Sequence, residues 1–374
     1  MRTRAALLHE SPGTYQVTEV ELDEPQQGEL LVRMVAAGLC HTDAHFSSGD
    51  YVFGTYPLAG GHEGAGIVEA VGPHTRGFEV GDHVVFSFLP ACGRCRWCTS
   101  GLQNLCDLGA HLLTGGRFDG SGTFRMHTLG GDPVGQMCGL STFAEHTVVS
   151  VDSAVRIDKD IPLEKACLLG CAVGTGWGSA VNLAEVRPGH TVIVMGVGGV
   201  GSNAVQGAIH AGASHVIAVD PVDFKLKVAG EVGATILCHD MEEATARARE
   251  LTNGQGADSA IVTVGRLEGA HVAEAFSSVR KGGTVVVASV GSLENMGIPI
   301  NLTELTQYQK RLQGSHFGSC NPTWDIVMQS TLYRDGKLKL DELITRNYTL
   351  DQIEQGYADQ AAGRIVRGVV LFDT

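Results

Sequence analysis

The sequence predicts an α/β protein of two units, one β-rich and one built on a doubly wound parallel sheet. Three observations carry this. The chain has 374 residues, and at roughly 100–200 residues per domain that favours two domains. Up to about residue 150, short apolar stretches are separated by glycine and helical periodicity is scarce, the pattern of an all-β, barrel-like unit. From about residue 175, apolar strands alternate with helical stretches, which implies βαβ units and a parallel sheet.

The elements follow in order. In the β-rich part, strands are expected at 28–37 (GELLVRMVAA), 65–71 and 82–88. The parallel sheet opens with a buried-type strand at 191–195 (TVIVM), a glycine turn and a helix to about residue 211. Further strands are expected at 215–219, 260–264 and 284–289, then a helical stretch after about 315 and a last strand at 368–372. The expected division gives 1–172 and 316–374 to the β-rich domain and 173–315 to the parallel-sheet domain, inserted into it.

Composition narrows the function classes. Charged residues make up 18%, below the usual ~25%, and the hydrophobic 43% suffices for sizeable cores. The 50 glycines follow no G-X-Y period, which excludes collagen. A net charge of -14 excludes a general basic surface for nucleic acid. Residues 1–13 hold no apolar signal region, and stretches such as 192–200 fall short of the ~20 residues of a membrane helix. A cytoplasmic protein without a membrane or nucleic-acid partner is expected. The ten cysteines, clustered in such a chain, suggest metal more than disulfides.

Gly196-Val197-Gly198-Gly199-Val200-Gly201 follows a strand and opens a helix, and Asp220 ends the next strand. That context is the dinucleotide fingerprint. Glycine lets the backbone approach a pyrophosphate, and the helix N-terminus offers it N–H groups. Asp220 would accept hydrogen bonds from the ribose hydroxyls and repel a 2′-phosphate, so NAD is favoured over NADP. Lys225 would contact the ribose or lie solvated on its helix.

Cys92, Cys95, Cys98 and Cys106 read C-x2-C-x2-C-x7-C. Four thiolates close around one tetrahedral zinc with no open position, a structural site; spacing leaves an iron–sulfur cluster as the rival. Cys40, His62 and Cys171 each lie in a glycine-flanked stretch. Two thiolates and an imidazole make a zinc site with one open position, but sequence spacing does not show that they converge, and a buried cysteine is commonly a small apolar residue.

Together, GHEGAG (61–66), the four-cysteine lobe, LGCAVGTGWG (169–178), GVGGVG and Asp220 resemble the zinc-dependent medium-chain alcohol dehydrogenases over essentially the whole chain. The stretch around Asp220-Pro221-Val222 resembles the actinobacterial nitrosoaniline (NDMA)-dependent members, which hold nicotinamide tightly and recycle it in place. The resemblance implies a GroES-like catalytic domain, a Rossmann domain, and two zinc ions per subunit of a homodimer. It implies reversible hydride transfer between a primary or secondary alcohol and NAD. By resemblance, Cys40, His62 and Cys171 hold the catalytic zinc, Asp43 orients the ligand histidine, and Glu63 lies behind the metal. Thr42 matches a relay hydroxyl and His45 the surface histidine that receives the proton. His41, where many relatives carry arginine, and Arg367 match phosphate-facing positions. Thr175 and Val200 match positions packing the nicotinamide, while Val290, Gly291 and Phe317 match other cofactor-lining positions. Tyr51, Phe88 and Leu140 are expected to line the alcohol pocket. Two other functions remain open. One is oxidation of a formaldehyde adduct of mycothiol or glutathione; Cys106-Asp107-Leu108-Gly109-Ala110 lacks the arginine that grips glutathione in such relatives, which counts against glutathione but not against mycothiol. The other is a non-catalytic redox sensor, which would be expected to lose a ligand or the relay.

Overall fold

The computed structural model describes residues 1–373, and the chain divides into two compact units. The first comprises residues 1–171, 321–362 and 367–373; the second comprises 172–320 and 363–366. Residues 172, 316–320 and 363–366 thus belong with the parallel sheet rather than with the β-rich part, where the sequence-based division put them.

In the first unit, strands Arg2–Leu8, Tyr15–Leu22, Met126–His127, Pro133–Gln136 and Leu58–Ala59 close into a barrel. A seven-stranded sheet accompanies it, with Glu29–Gly38 at its centre. That strand pairs antiparallel with Glu63–Val71, His146–Ser150 and Arg367–Leu371. Its Leu30, Val32 and Met34 alternate into the core and are fully buried, the period-2 pattern of a strand packed on one face. Register places Gly38 opposite Glu63. Cys40 and His62, just beyond these residues, therefore leave the same end of two neighbouring strands.

The longest departure from the all-β expectation lies at the end of the central strand. His41–Ser48 is a helix, and it buries Asp43, His45 and Phe46. An inner face made of a carboxylate and an imidazole has no apolar stripe, so periodicity gives no sign of the helix.

In the second unit, strands Thr191–Met195, His215–Val219, Ile236–Cys238, Ala257–Val262, Val279–Val287 and Arg311–Gly314 are all parallel. Counted in chain order, they lie side by side as 3-2-1-4-5-6, the doubly wound order whose reversal point receives a dinucleotide. The first two match the expected strands, while the fourth and fifth begin earlier and end earlier than expected. Helix Gly199–His210 follows the first strand, and glycines let helix Ala172–Gly178 pack tightly on it. A Cβ on Gly176 would collide with the Val200 carbonyl, and one on Gly207 would lie 2.8 Å from the Trp177 carbonyl. Among the described residues, no single helix is long and apolar enough to cross a membrane.

Candidate active site

The sheet end in the first unit gathers four donors. The ligand atoms of Cys40, His62, Glu63 and Cys171 all lie within 4.8 Å of one another, and all four residues are buried. Cys171 joins from a distant segment because Gly170 lacks a side chain; a Cβ there would collide with the Phe86 carbonyl. His62 Nδ1 faces Asp43, 3.3 Å from Oδ1 and 3.2 Å from Oδ2. The carboxylate, which also accepts from the Gly61 N–H at 3.1 Å, fixes the Nδ1–H tautomer and leaves Nε2 as the ligand nitrogen.

Electrostatics favour a cation here. A hydrogen bond from the Cys171 thiol, with His62 and Arg367 nearby, holds Cys40 well below the usual thiol range despite burial. Its hydrogen bond to Cys40, and then burial, push Cys171 well above that range, so the two sulfurs share a proton. Burial works against the imidazolium of His62, but Asp43 and Cys40 raise it well above its ordinary value. Protons thus occupy a place that a divalent ion takes by displacing them. Two sulfurs and one nitrogen suit zinc with a position left open, so the residues fit the metal.

Glu63 lies fully buried and pairs with Arg367. Burial pushes the Glu63 carboxyl up to about 8, against the pull of Arg367. Its Oε1 has no hydrogen-bond partner among the described residues. Gly38 makes room for the pair, since a Cβ there would strike Glu63 Oε2 and stand 2.9 Å from the Arg367 guanidinium. Arg367 itself is only 3% exposed. Resemblance matches Arg367 to a phosphate-facing position, and no pattern in the sequence points to its partner Glu63.

The other expected residues fall as follows. Thr42 Oγ1 lies 3.6 Å from Cys40 Sγ. His45 is not at the surface as expected: it is 6% exposed, and its Nδ1 lies 2.9 Å from Asp50 Oδ2. His41 is exposed at the helix start. Phe88 presents its ring edge-on to His62, with centroids 5.8 Å apart. Tyr51 packs on His45 and Phe46. Leu140 corrects an expectation. Its side chain is fully enclosed in the core, in a turn whose carbonyl accepts the Thr147 hydroxyl, and it lines no open surface.

In the lobe, the sulfurs of Cys92, Cys95, Cys98 and Cys106 lie within 4.8 Å of one another. Backbone N–H groups point at them: Cys92 to Cys106 Sγ at 3.4 Å, Cys95 to Cys92 Sγ at 3.4 Å, and Cys98 to Cys95 Sγ at 3.5 Å. The bond from the Cys98 N–H brings the Cys95 thiol down to about 6, whereas burial pushes Cys98 up to about 12. Four sulfurs so placed fit a closed metal site.

The second unit holds the dinucleotide loop. Gly196 has φ 86°, in the left-handed region. A Cβ on Gly201 would collide with the Gly196 carbonyl, while one on Gly198 would project into open space at the helix start. That open ground before the N–H groups of Gly199 and Val200 fits a pyrophosphate. Asp220 is held by the Val197 N–H at 3.1 Å and the Val222 N–H at 3.0 Å. Lys225 is half-buried on helix Asp223–Glu231. Thr175 and Phe317 are buried, and Val290 is exposed just before Gly291. A Cβ on Gly291 would collide with the Leu267 carbonyl.

Comparison with known proteins agrees with this construction. Residues 26–159 match the alcohol dehydrogenase GroES-like domain and residues 199–332 match the zinc-binding dehydrogenase family. An NDMA-dependent alcohol dehydrogenase of Amycolatopsis methanolica is 48% identical, with 99% of each chain covered. Two solved structures cover the chain fully and are fully covered by it. A zinc-binding-domain alcohol dehydrogenase of Burkholderia ambifaria has TM-score 0.92 at 31% identity, and benzyl alcohol dehydrogenase of Acinetobacter calcoaceticus has TM-score 0.91 at 28% identity. The chain belongs to the zinc-dependent medium-chain alcohol dehydrogenases, a family of oxidoreductases. Within it, the chain is similar over nearly its full length to the NDMA-dependent relative.

Proposed function

We propose that this protein interconverts small apolar primary or secondary alcohols and their aldehydes or ketones, using NAD that stays bound between turnovers. The observation that carries the reading is the convergence of Cys40, His62, Cys171 and Glu63 within 4.8 Å, with Asp43 on the far side of the imidazole. Zinc supplies a Lewis acid that eases deprotonation of an alcohol, and NAD supplies the hydride acceptor. The remaining work belongs to the chain. Asp43 holds His62 in one tautomer. Thr42 takes the proton released by the alcohol and His45 receives it. Phe88 offers an apolar wall beside His62. Gly196, Gly198, Gly199 and Gly201 admit the pyrophosphate, and by the family resemblance His41 and Arg367 match phosphate-facing positions. Asp220 accepts from the ribose and disfavours a 2′-phosphate. The lobe cysteines hold the second zinc.

A cytoplasmic homodimer completes the reading. Leu293, Met296 and Leu302 are exposed and the parallel sheet ends in the edge strand Arg311–Gly314; exposed apolar side chains and a sheet edge are both features that a second copy would cover.

The test is to denature extensively desalted protein and assay released nucleotide and metal. Near-stoichiometric NAD with two zinc ions per chain, and alcohol turnover that needs an artificial acceptor, are expected. An empty protein that turns over with added NAD overturns the tight-cofactor reading. Absence of alcohol turnover under both conditions overturns the activity.

A further inference from the structure

We propose that Asn182 and Ser179 are positioning residues that latch the turn 317–319 onto the helix carrying Thr175, and so slow the escape of the nicotinamide end of bound NAD. The inference rests on the reading that Thr175 and Phe317 line that end.

The turn has an uncommon backbone. Phe317, Gly318 and Ser319 have φ of 54°, 63° and 53°, three successive residues in the left-handed region. Phenylalanine and serine enter that region only at a cost, and such residues persist where their surroundings over-determine them. Here the surroundings are helix Ala172–Gly178 and the turn that continues it. A Cβ on Gly178 would collide with the Gly318 carbonyl, and one on Gly318 with the Gly174 carbonyl, so turn and helix meet backbone to backbone.

Side chains fasten this contact along its length. Before the turn, the Ser179 hydroxyl donates to the Thr175 carbonyl at 2.6 Å and accepts from the Ser315 hydroxyl at 2.8 Å. After it, the Cys320 thiol donates to the Gly174 carbonyl at 3.3 Å. At its middle, the Asn182 amide donates to the Gly318 carbonyl at 3.0 Å. Asn182 reaches it from a widened helical turn, Ser179–Leu183, where the Ala184 N–H returns to the Ser179 carbonyl at 2.9 Å. Widened turns of this kind recur at functional sites.

Topology assigns the latch to one half of the cofactor. The strands are all parallel, so their carboxyl ends share one edge. Asp220 follows the second strand and the latched turn follows the sixth, on opposite sides of the first. The ribose held by Asp220 therefore lies over one half of the sheet, and the turn serves the other. The latch sets the spacing between Phe317 and Thr175 before a ligand arrives. A site organised in advance loses less on binding, and the gain appears mainly as slower release.

The experiment mixes protein carrying its nucleotide with excess NADH and follows exchange by the fluorescence of bound NADH. The wild type, Asn182→Ala, Ser179→Ala and the double variant are compared. Calorimetric titration of ADP-ribose, which lacks the nicotinamide, into each protein freed of nucleotide reads the other half. Asn182 is exposed, so its truncation opens no cavity in the core. Asn182→Ala is expected to speed release roughly tenfold, and the double variant further, with ADP-ribose affinity unchanged. Wild-type exchange in the double variant overturns the latch. A matching loss of ADP-ribose affinity also overturns it, because the whole unit has then loosened. A wild type that emerges from desalting without nucleotide overturns the tight-cofactor reading instead; exchange from preloaded NAD then judges the latch by the same ratio of rates.

Discussion

Two residues that the sequence left far apart, Glu63 and Arg367, meet as a buried ion pair directly behind the candidate metal ligands. Burial opposes the charge of Arg367, but Glu63 and the nearby thiols raise its proton affinity. Removing one partner of such a pair strands the other, so Arg367→Ala is expected to destabilise the protein by about 3–5 kcal/mol. Urea unfolding checks this; a loss below 1 kcal/mol would mean that Glu63 takes up a proton and stays buried as the neutral acid. At the ligands themselves, Cys171→Ala is expected to abolish alcohol turnover and lose one zinc while nucleotide binding survives, read by metal analysis and dye-free titration with NAD. The residue scale was legible mainly through motif. GHEGAG and LGCAVGTGWG point to His62 and Cys171 as candidate ligands by resemblance, but spacing alone could not join Cys40 to them. Asp50 and the partner of Arg367 were illegible because each is defined by a neighbour rather than by a pattern.

Elements were legible where periodicity and packing agree. The strands Thr191–Met195 and His215–Val219 are continuous apolar runs because both faces of a parallel sheet are covered. Helix His41–Ser48 was illegible for the opposite reason: it spends its inner face on Asp43 and His45. The glycine turn after the first strand is legible because its glycines meet steric demands. At Gly201 a Cβ collides with the Gly196 carbonyl. Gly201→Ala is therefore expected to weaken NAD binding by at least tenfold, about 1.4 kcal/mol, by displacing the loop. Calorimetric titration on protein freed of nucleotide decides it, and unchanged affinity would show that the loop relaxes without cost.

At the scale of the whole molecule, the doubly wound order 3-2-1-4-5-6 follows from alternating strands and helices, but the return of residues 363–366 to the second unit does not, because four residues carry no pattern of their own. Buried acids of high pKa are also a property of the whole, with a consequence for pH. Burial pushes Cys138 up to about 12 and Cys167 higher still, from an ordinary value of 9.0. Cys238 is raised to about 11, and Tyr15 and Tyr357 lie well above the phenol range, all chiefly by burial. Each of these groups has a folded value above its unfolded one. Its contribution to stability is complete below the unfolded value and is lost as pH climbs toward the folded value. Below pH 9 the thiols therefore leave stability level. Above it, the unfolded chain ionises first, and each fully buried thiol costs about 1.4 kcal/mol per pH unit. Because the unfolded thiols are only half ionised at pH 9, Cys138 and Cys167 together are expected to remove about 2 kcal/mol between pH 9 and 10. Urea unfolding of the zinc-loaded protein at pH 8, 9 and 10 measures the slope, and Cys138→Ala and Cys167→Ala should each lessen the loss between pH 9 and 10 by about 1 kcal/mol. A wild-type stability that stays level to pH 10 would mean that these thiols ionise in the folded protein, and their enclosure would then be far looser than their burial implies.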